Sequence, residues 1–160
     1  MLSVCNSYFP QGENRKHPDK FPYKERYYKR ITDHIGNLDS HVVLTGDFNI
    51  APFENDVWSH KSLLNVVSHT KSETNYFSKL LKYGVFEDIV RNHFKRDDKI
   101  YSWWSYRNKD WKKSNRGRRL DHILISKNIK KYIQSVKIYR SSREEIKPSD
   151  HVPISITLVI

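Results

Sequence analysis

The chain has 160 residues, room for one ordinary domain and too few for two. Its 29 Lys and Arg against 18 Asp and Glu leave a formal net charge of +11, which draws it toward polyanions, nucleic acid first among them. Drift toward a Lys-, Ile-, Asn- and Tyr-rich composition would leave the same surplus; nothing approaches a membrane span, no repeat recurs, and five Gly and six Pro exclude a linker or low-complexity chain.

Leu2 to Asn6 reads as a short strand before the turn Tyr8-Phe9-Pro10-Gln11-Gly12, and the opening residues lack the basic region and long apolar core of a signal peptide. The single Cys5 cannot form an internal disulfide, so a reducing cytoplasm is the expected setting. Pro18 and Pro22 read as breakers in a polar loop. Tyr27, Ile31 and Ile35 then recur at helical spacing within Tyr23 to Ile35, and Gly36 marks the stop. His41 to Gly46 reads as a buried strand. Thr74 to Tyr83 is a second helix, with Phe77, Leu80 and Leu81 on one face and Gly84 after it.

Tyr101 to Tyr106 is aromatic and strand-like, Lys109 to Arg119 a basic loop, and Leu120 to Ser126 and Ser135 to Tyr139 strands. At the end Val152, Ile154, Ile156, Leu158 and Ile160 alternate with mostly polar neighbours, the mark of a strand with one buried face. Strands mixed with two helices predict an α/β or α+β fold in which helices cover a sheet. The basic residues are spread along the chain, so the charge belongs to a folded surface.

Three strand ends carry chemistry. In Gly46-Asp47-Phe48-Asn49, period-two geometry puts Asp47 and Asn49 on one side and Phe48 on the other. A carboxylate beside an amide suits phosphate chemistry: the acid takes a proton from water or binds a hard cation, and the amide donates to a phosphoryl oxygen. The same pattern also serves a plain turn held by side-chain-to-backbone bonds. In Arg119-Leu120-Asp121-His122 an acid interrupts an apolar strand; it needs a partner, and pairing with Arg118 or Arg119 is the simpler account. In Pro148-Ser149-Asp150-His151 an acid and an imidazole adjoin at the mouth of a sheet, where Ser149 and Asp150 serve equally well as turn formers.

Taken in order, G-D-x-N, S-W-W-x-Y-R, R-L-D-H and P-S-D-H-x-P-I, preceded by Y-F-P-Q-G-E-N-R, resemble the exonuclease III family of class II apurinic/apyrimidinic endonucleases, within the endonuclease/exonuclease/phosphatase superfamily. The resemblance runs from Asn6 to Leu158. It implies a DNA-repair nuclease that cuts double-stranded DNA 5′ to abasic sites and removes nucleotides from 3′ ends with Mg²⁺ or Mn²⁺. It implies catalytic roles for Tyr8, Asp47, Asn49, Asp121 and His151, with Asp47, Asn49, Asp150 and His151 around a metal. Trp103 and Leu120 would line a pocket for a flipped-out abasic sugar. Lys109, Lys112, Lys113, Arg116, Arg118 and Arg119 would follow DNA phosphates.

The resemblance also implies a DNase I-like four-layer α/β sandwich. Residues 1–160 would be a single domain of it, the C-terminal part, without the N-terminal strands that bring an asparagine and a metal-binding glutamate. Glu54, Glu73, Glu87, Glu144 and Glu145 stand in the wrong contexts to replace that glutamate. The expectations that follow are weak metal binding, an exposed sheet face at Ile154, Ile156 and Leu158, and a separate N-terminal half as a possible partner chain. Other phosphodiesterases of the superfamily, and an inactive remnant that at most binds DNA, are the alternatives.

Overall fold

The computed structural model describes residues 1–36 and 41–159; Ile160 lies outside the described residues. In chain order, β1 is Leu2–Asn6, α1 Lys20–Ile35, β2 His41–Asp47, α2 His60–Leu63, α3 Lys71–Tyr83, β3 Phe86–Asp88 and α4 Ile89–His93. There follow β4 Trp103–Trp104, α5 Trp111–Ser114, β5 Gly117–Arg118, β6 Asp121–Ser126, β7 Ile133–Ile138 and β8 Ile154–Leu158.

The main sheet has the order β1-β2-β6-β3. β1 runs parallel to β2, and β6 lies antiparallel to both β2 and β3. Its centre is apolar on both faces, which is why Val42-Val43-Leu44 does not alternate with polar residues. Val42, Leu44 and Leu124 pack with Tyr28, Ile35, Phe77 and Leu80 beneath α1 and α3. Val43, Ile123 and Ile125 face the other way, toward Val136 and the half-buried Ile133, Ile154, Ile156 and Leu158 of the β7–β8 hairpin. The described residues thus stack as helices, sheet and sheet. Ile154, Ile156 and Leu158, expected on an open face, are instead half-covered by that second core.

Both helices begin earlier than their apolar spacing predicts. Pro22 is not a breaker: it sits in the first turn of α1, where backbone N–H groups have no helical acceptor to lose. The α3 start is fixed by Thr70, whose hydroxyl accepts the Glu73 N–H while the Glu73 carboxylate accepts the Thr70 N–H. Thr70-x-x-Glu73 was a visible signal for this boundary. The stretch Tyr101 to Tyr106 keeps only two strand residues, and the basic loop contains α5 and β5.

Candidate active site

Alternation along β2 and β6 decides where the polar strand ends point. Val43, Thr45 and Asp47 share a face and pair across the ladder with Ile125, Ile123 and Asp121. The two carboxylates therefore stand side by side on the face that the β7–β8 hairpin covers. His151, three residues before β8, is delivered over them by a bridge to Trp103. Its Nδ1 lies 2.8 Å from Asp121 Oδ2, and its Nε2 is 3.8 Å from Asp47 Oδ2. Asp121 pairs with this imidazole and not with an arginine. Arg118 and Arg119, the two arginines weighed as its partner, are bonded elsewhere, Arg118 to Val67 and Ser68 and Arg119 to Asp56 and Asp88.

Gly46 lets the β1–β2 end close up. Its φ is +134°, and a Cβ there would lie 2.0 Å from the Ser7 carbonyl oxygen. Asn49 takes a left-handed φ of 51°, which asparagine tolerates. Its N–H donates to Asp47 Oδ1 at 2.8 Å, and its Nδ2 donates to Asp47 Oδ2 at 3.0 Å and to the Phe9 carbonyl at 2.9 Å. These are the side-chain-to-backbone bonds that the turn reading of G-D-x-N describes. With both amide hydrogens engaged, Asn49 orients Asp47; it does not present a donor to a phosphate.

These contacts set the charges. Burial and the neighbouring Asp121 carboxylate push the Asp47 carboxyl up to about 6, against the Asn49 N–H, which favours the ionised form. Burial disfavours protonation of His151, but its bond to Asp121 and the charges of Asp121 and Asp47 outweigh this and hold it above 6.5. The rim therefore holds a carboxylate that accepts a proton more readily than usual beside an imidazole that keeps one more readily than usual.

The remaining predicted residues divide. Tyr8 is 71% exposed. The next residue, Phe9, ties the main chain at this point to the site: its N–H donates to the Asp47 carbonyl, and its carbonyl takes the Asn49 amide. Asp150 Oδ2 accepts the Trp103 indole N–H at 2.9 Å. Ser149 is the turn former anticipated for it, its hydroxyl accepting the His151 N–H. Leu120, the residue before β6, is 5% exposed and packs with Ala51, Val57 and Leu63. Arg118 is half-buried, its guanidinium over the Trp103 ring and its Nη1 on the Val67 carbonyl and Ser68 hydroxyl. Arg119 is wholly buried and cannot follow a phosphate backbone. Lys112 is exposed and pairs with Glu144, Lys109 and Lys113 are exposed, and Arg116 lies over Trp58.

The set expected around a metal does not assemble. Among the described residues no group of three or more His, Cys, Asp or Glu side chains is placed to hold a metal ion. Asp150 is bonded to Trp103, His151 to Asp121, and both amide hydrogens of Asn49 are engaged.

Behind the rim lie two groups that sequence reading missed. Lys24 of α1, 1% exposed, donates to the Asn49 carbonyl at 2.7 Å and to Glu73 at 2.5 Å. Burial lowers its pKa against the opposing pull of Glu73. On the opposite face from Asp121, Arg119 binds Asp56 through Nε and Nη2 at 2.8 and 2.7 Å and Asp88 through Nη1 at 3.0 Å. His122 Nδ1 accepts from Arg119, and its Nε2–H donates to the Ile50 carbonyl. Acids inside apolar runs, as in Phe86-Glu87-Asp88-Ile89, were the visible trace of this network.

Facing sheets with helices outside, and paired carboxylates with an imidazole at the ends of the central strands, define a hydrolase-type α/β sandwich. The chain belongs to the endonuclease/exonuclease/phosphatase family, whose model matches residues 14–151. It is 34% identical to an exodeoxyribonuclease III of Haemophilus influenzae over 96% of this chain and 60% of that protein. The structure of an AP endonuclease from Archaeoglobus fulgidus superimposes with a TM-score of 0.92 at 29% identity, over 99% of this chain and 62% of that one. A Neisseria 3′ phosphatase bound to a product DNA hairpin gives 0.90 at 29% identity, over 98% and 61%. The chain spans about 60% of the length of the curated relatives it matches. Among the described residues no helix is long and apolar enough to cross a membrane.

Proposed function

We propose that this chain carries the proton-transfer and phosphate-binding half of a DNA phosphodiesterase site, working 5′ to abasic sites and at 3′ ends. The observation that supports this most is the triad Asp47, Asp121 and His151, assembled from three distant segments at one strand end. Asp47, with its carboxyl near 6, accepts a proton from the attacking water, and Asn49 holds it in place. His151, whose protonated form Asp121 favours, donates its Nε2–H to a phosphoryl oxygen as charge accumulates there. Tyr8, exposed beside the site, places its hydroxyl near the phosphate or the leaving group.

Double-stranded DNA is the proposed substrate, drawn by the net charge and gripped by Lys109, Lys113 and Arg116. The chain acts as a single domain in the cytoplasm. A separate N-terminal segment of the same fold is its proposed partner, and the Mg²⁺ or Mn²⁺ dependence implied by the resemblance is assigned to that assembly. The second reading is a DNA binder that does not cut, for which the net charge and the exposed Lys109, Lys113 and Arg116 would suffice.

An incision assay tells them apart. Purified chain is incubated with a duplex bearing one abasic analogue, with Mg²⁺ and then EDTA, alone and with a recombinant N-terminal portion of the Haemophilus relative. Incision in either mixture, abolished by Asp47→Ala, is the expected result. Binding without incision in both mixtures would overturn the catalytic reading.

A further inference from the structure

The segment Ser102-Trp103-Trp104 stands out for its rings, yet its serine sits between the segments that carry Asp121 and His151. Ser102 is fully buried. Its hydroxyl oxygen accepts the N–H of Leu120 and of Asp121, both at 3.0 Å. Its own N–H donates to the Arg118 carbonyl at 3.0 Å, and its carbonyl accepts the Val152 N–H at 2.8 Å. One residue thus clamps the entry to β6, which carries Asp121, to the segment that carries His151. The Leu120 carbonyl in turn accepts the Phe48 N–H, which joins the same node to the Asp47 turn.

A hydroxyl can accept two hydrogen bonds, and no apolar side chain of this size can replace it. Without it two buried N–H groups at the foot of Asp121 lose their acceptor, and the backbone must move to find water or another partner. The Asp121–His151 bond spans 2.8 Å between a strand of the main sheet and a loop before the hairpin, so a shift of about 1 Å in either breaks it.

We infer that Ser102 is a positioning residue: its hydroxyl sets the height of Asp121, and its carbonyl sets that of His151, so that carboxylate and imidazole meet. This rests on the proposed roles of Asp121 and His151, but the test reads geometry independently of catalysis.

Ser102→Ala, Ser102→Cys and Ser102→Thr are compared with the unaltered chain by NMR at one fixed pH, and by the incision assay in whichever mixture proves active. The unaltered chain should show protected amides at Leu120 and Asp121 and a downfield, slowly exchanging His151 Nδ1 proton. In Ser102→Ala, protection of both amides should fall about tenfold or more, and the Nδ1 proton signal should be lost. The cysteine variant, a weak acceptor, should fall between, and threonine should restore both signals.

Where incision occurs, kcat should drop with KM nearly constant in the alanine variant and recover with threonine. Loss of the signals with unchanged incision would leave Ser102 as the clamp and sink the catalytic reading of the pair. A His151 signal and kcat that persist in folded Ser102→Ala would overturn the inference, as would fast exchange of the two amides in the unaltered chain, a readout that needs no variant.

Discussion

Asp121 and His122 are neighbours in β6, and the strand sends them to opposite faces and opposite fates. His122 joins Arg119, Asp56 and Asp88 in a network of side chains that are at most 4% exposed. There two carboxylates meet a forked guanidinium, and the Arg119 charge holds Asp88 far below the usual carboxylate range against the cost of its burial. Asp121 joins Asp47 and His151 at a half-buried rim, where two carboxylates share one imidazole and Asp47 is pushed up to about 6. One position apart on the strand lie a buried cluster whose carboxylates are paired with arginine and a rim whose two carboxylates share one imidazole. Perturbed, incompletely paired groups are what a reactive site needs, and balanced ones are what a buried charge needs.

Breaking the rim should cost function and little stability. In whichever mixture is active, His151→Asn is expected to lower incision by roughly 10²- to 10⁴-fold, the range typical of a general acid–base group, with the denaturation midpoint at alkaline pH almost unchanged. Breaking the buried cluster should do the reverse. Arg119→Met strips Asp88 of its guanidinium and leaves Asp56 only the Arg91 Nη1 at 3.3 Å, and should cost about 3–5 kcal/mol in urea unfolding.

A sharper contrast comes from pH. The folded-state pKa of Asp47 is raised, so its ionisation destabilises the fold: stability from this group is greatest below 3.8 and declines as pH rises through about 6. Asp47→Asn should therefore flatten the fall in stability between pH 4 and pH 7, about 1 kcal/mol or more by denaturant midpoints. His151 has the opposite sign of charge, and its raised pKa gives stability that is full below 6.5 and lost as pH climbs through its folded value. His151→Asn should remove that alkaline loss. The smallest effect is at the exposed loop: Arg116→Ala should weaken duplex binding only a few-fold and reduce the salt slope by about one unit.

The sequence made the two cores legible because their periods are simple: Tyr27, Ile31 and Ile35 for a helix, Ile154, Ile156 and Leu158 for a strand with one buried face. The candidate site was legible as three motifs, since each polar group interrupts an apolar run at a strand end. What escaped were long-range pairings. Nothing local shows that Lys24 reaches Asn49 and Glu73, or that Arg119 turns to Asp56, 63 positions away, and not to Asp121, two positions away. Leu120 was misplaced for the same reason. A residue's neighbours in the chain fix its spacing, while register across β2 and β6 fixes which side it faces.

The account depends most on a DNA phosphate settling against the rim, and NMR titration of the ¹⁵N-labelled chain with a short duplex bearing a central abasic analogue reads this directly. Concerted shifts of the Asn49, Asp121 and His151 amides, lost in Asp47→Lys, are the predicted outcome. Shifts confined to α1 and α3 or to the β7–β8 hairpin, with those three amides unmoved at saturation, would contradict it.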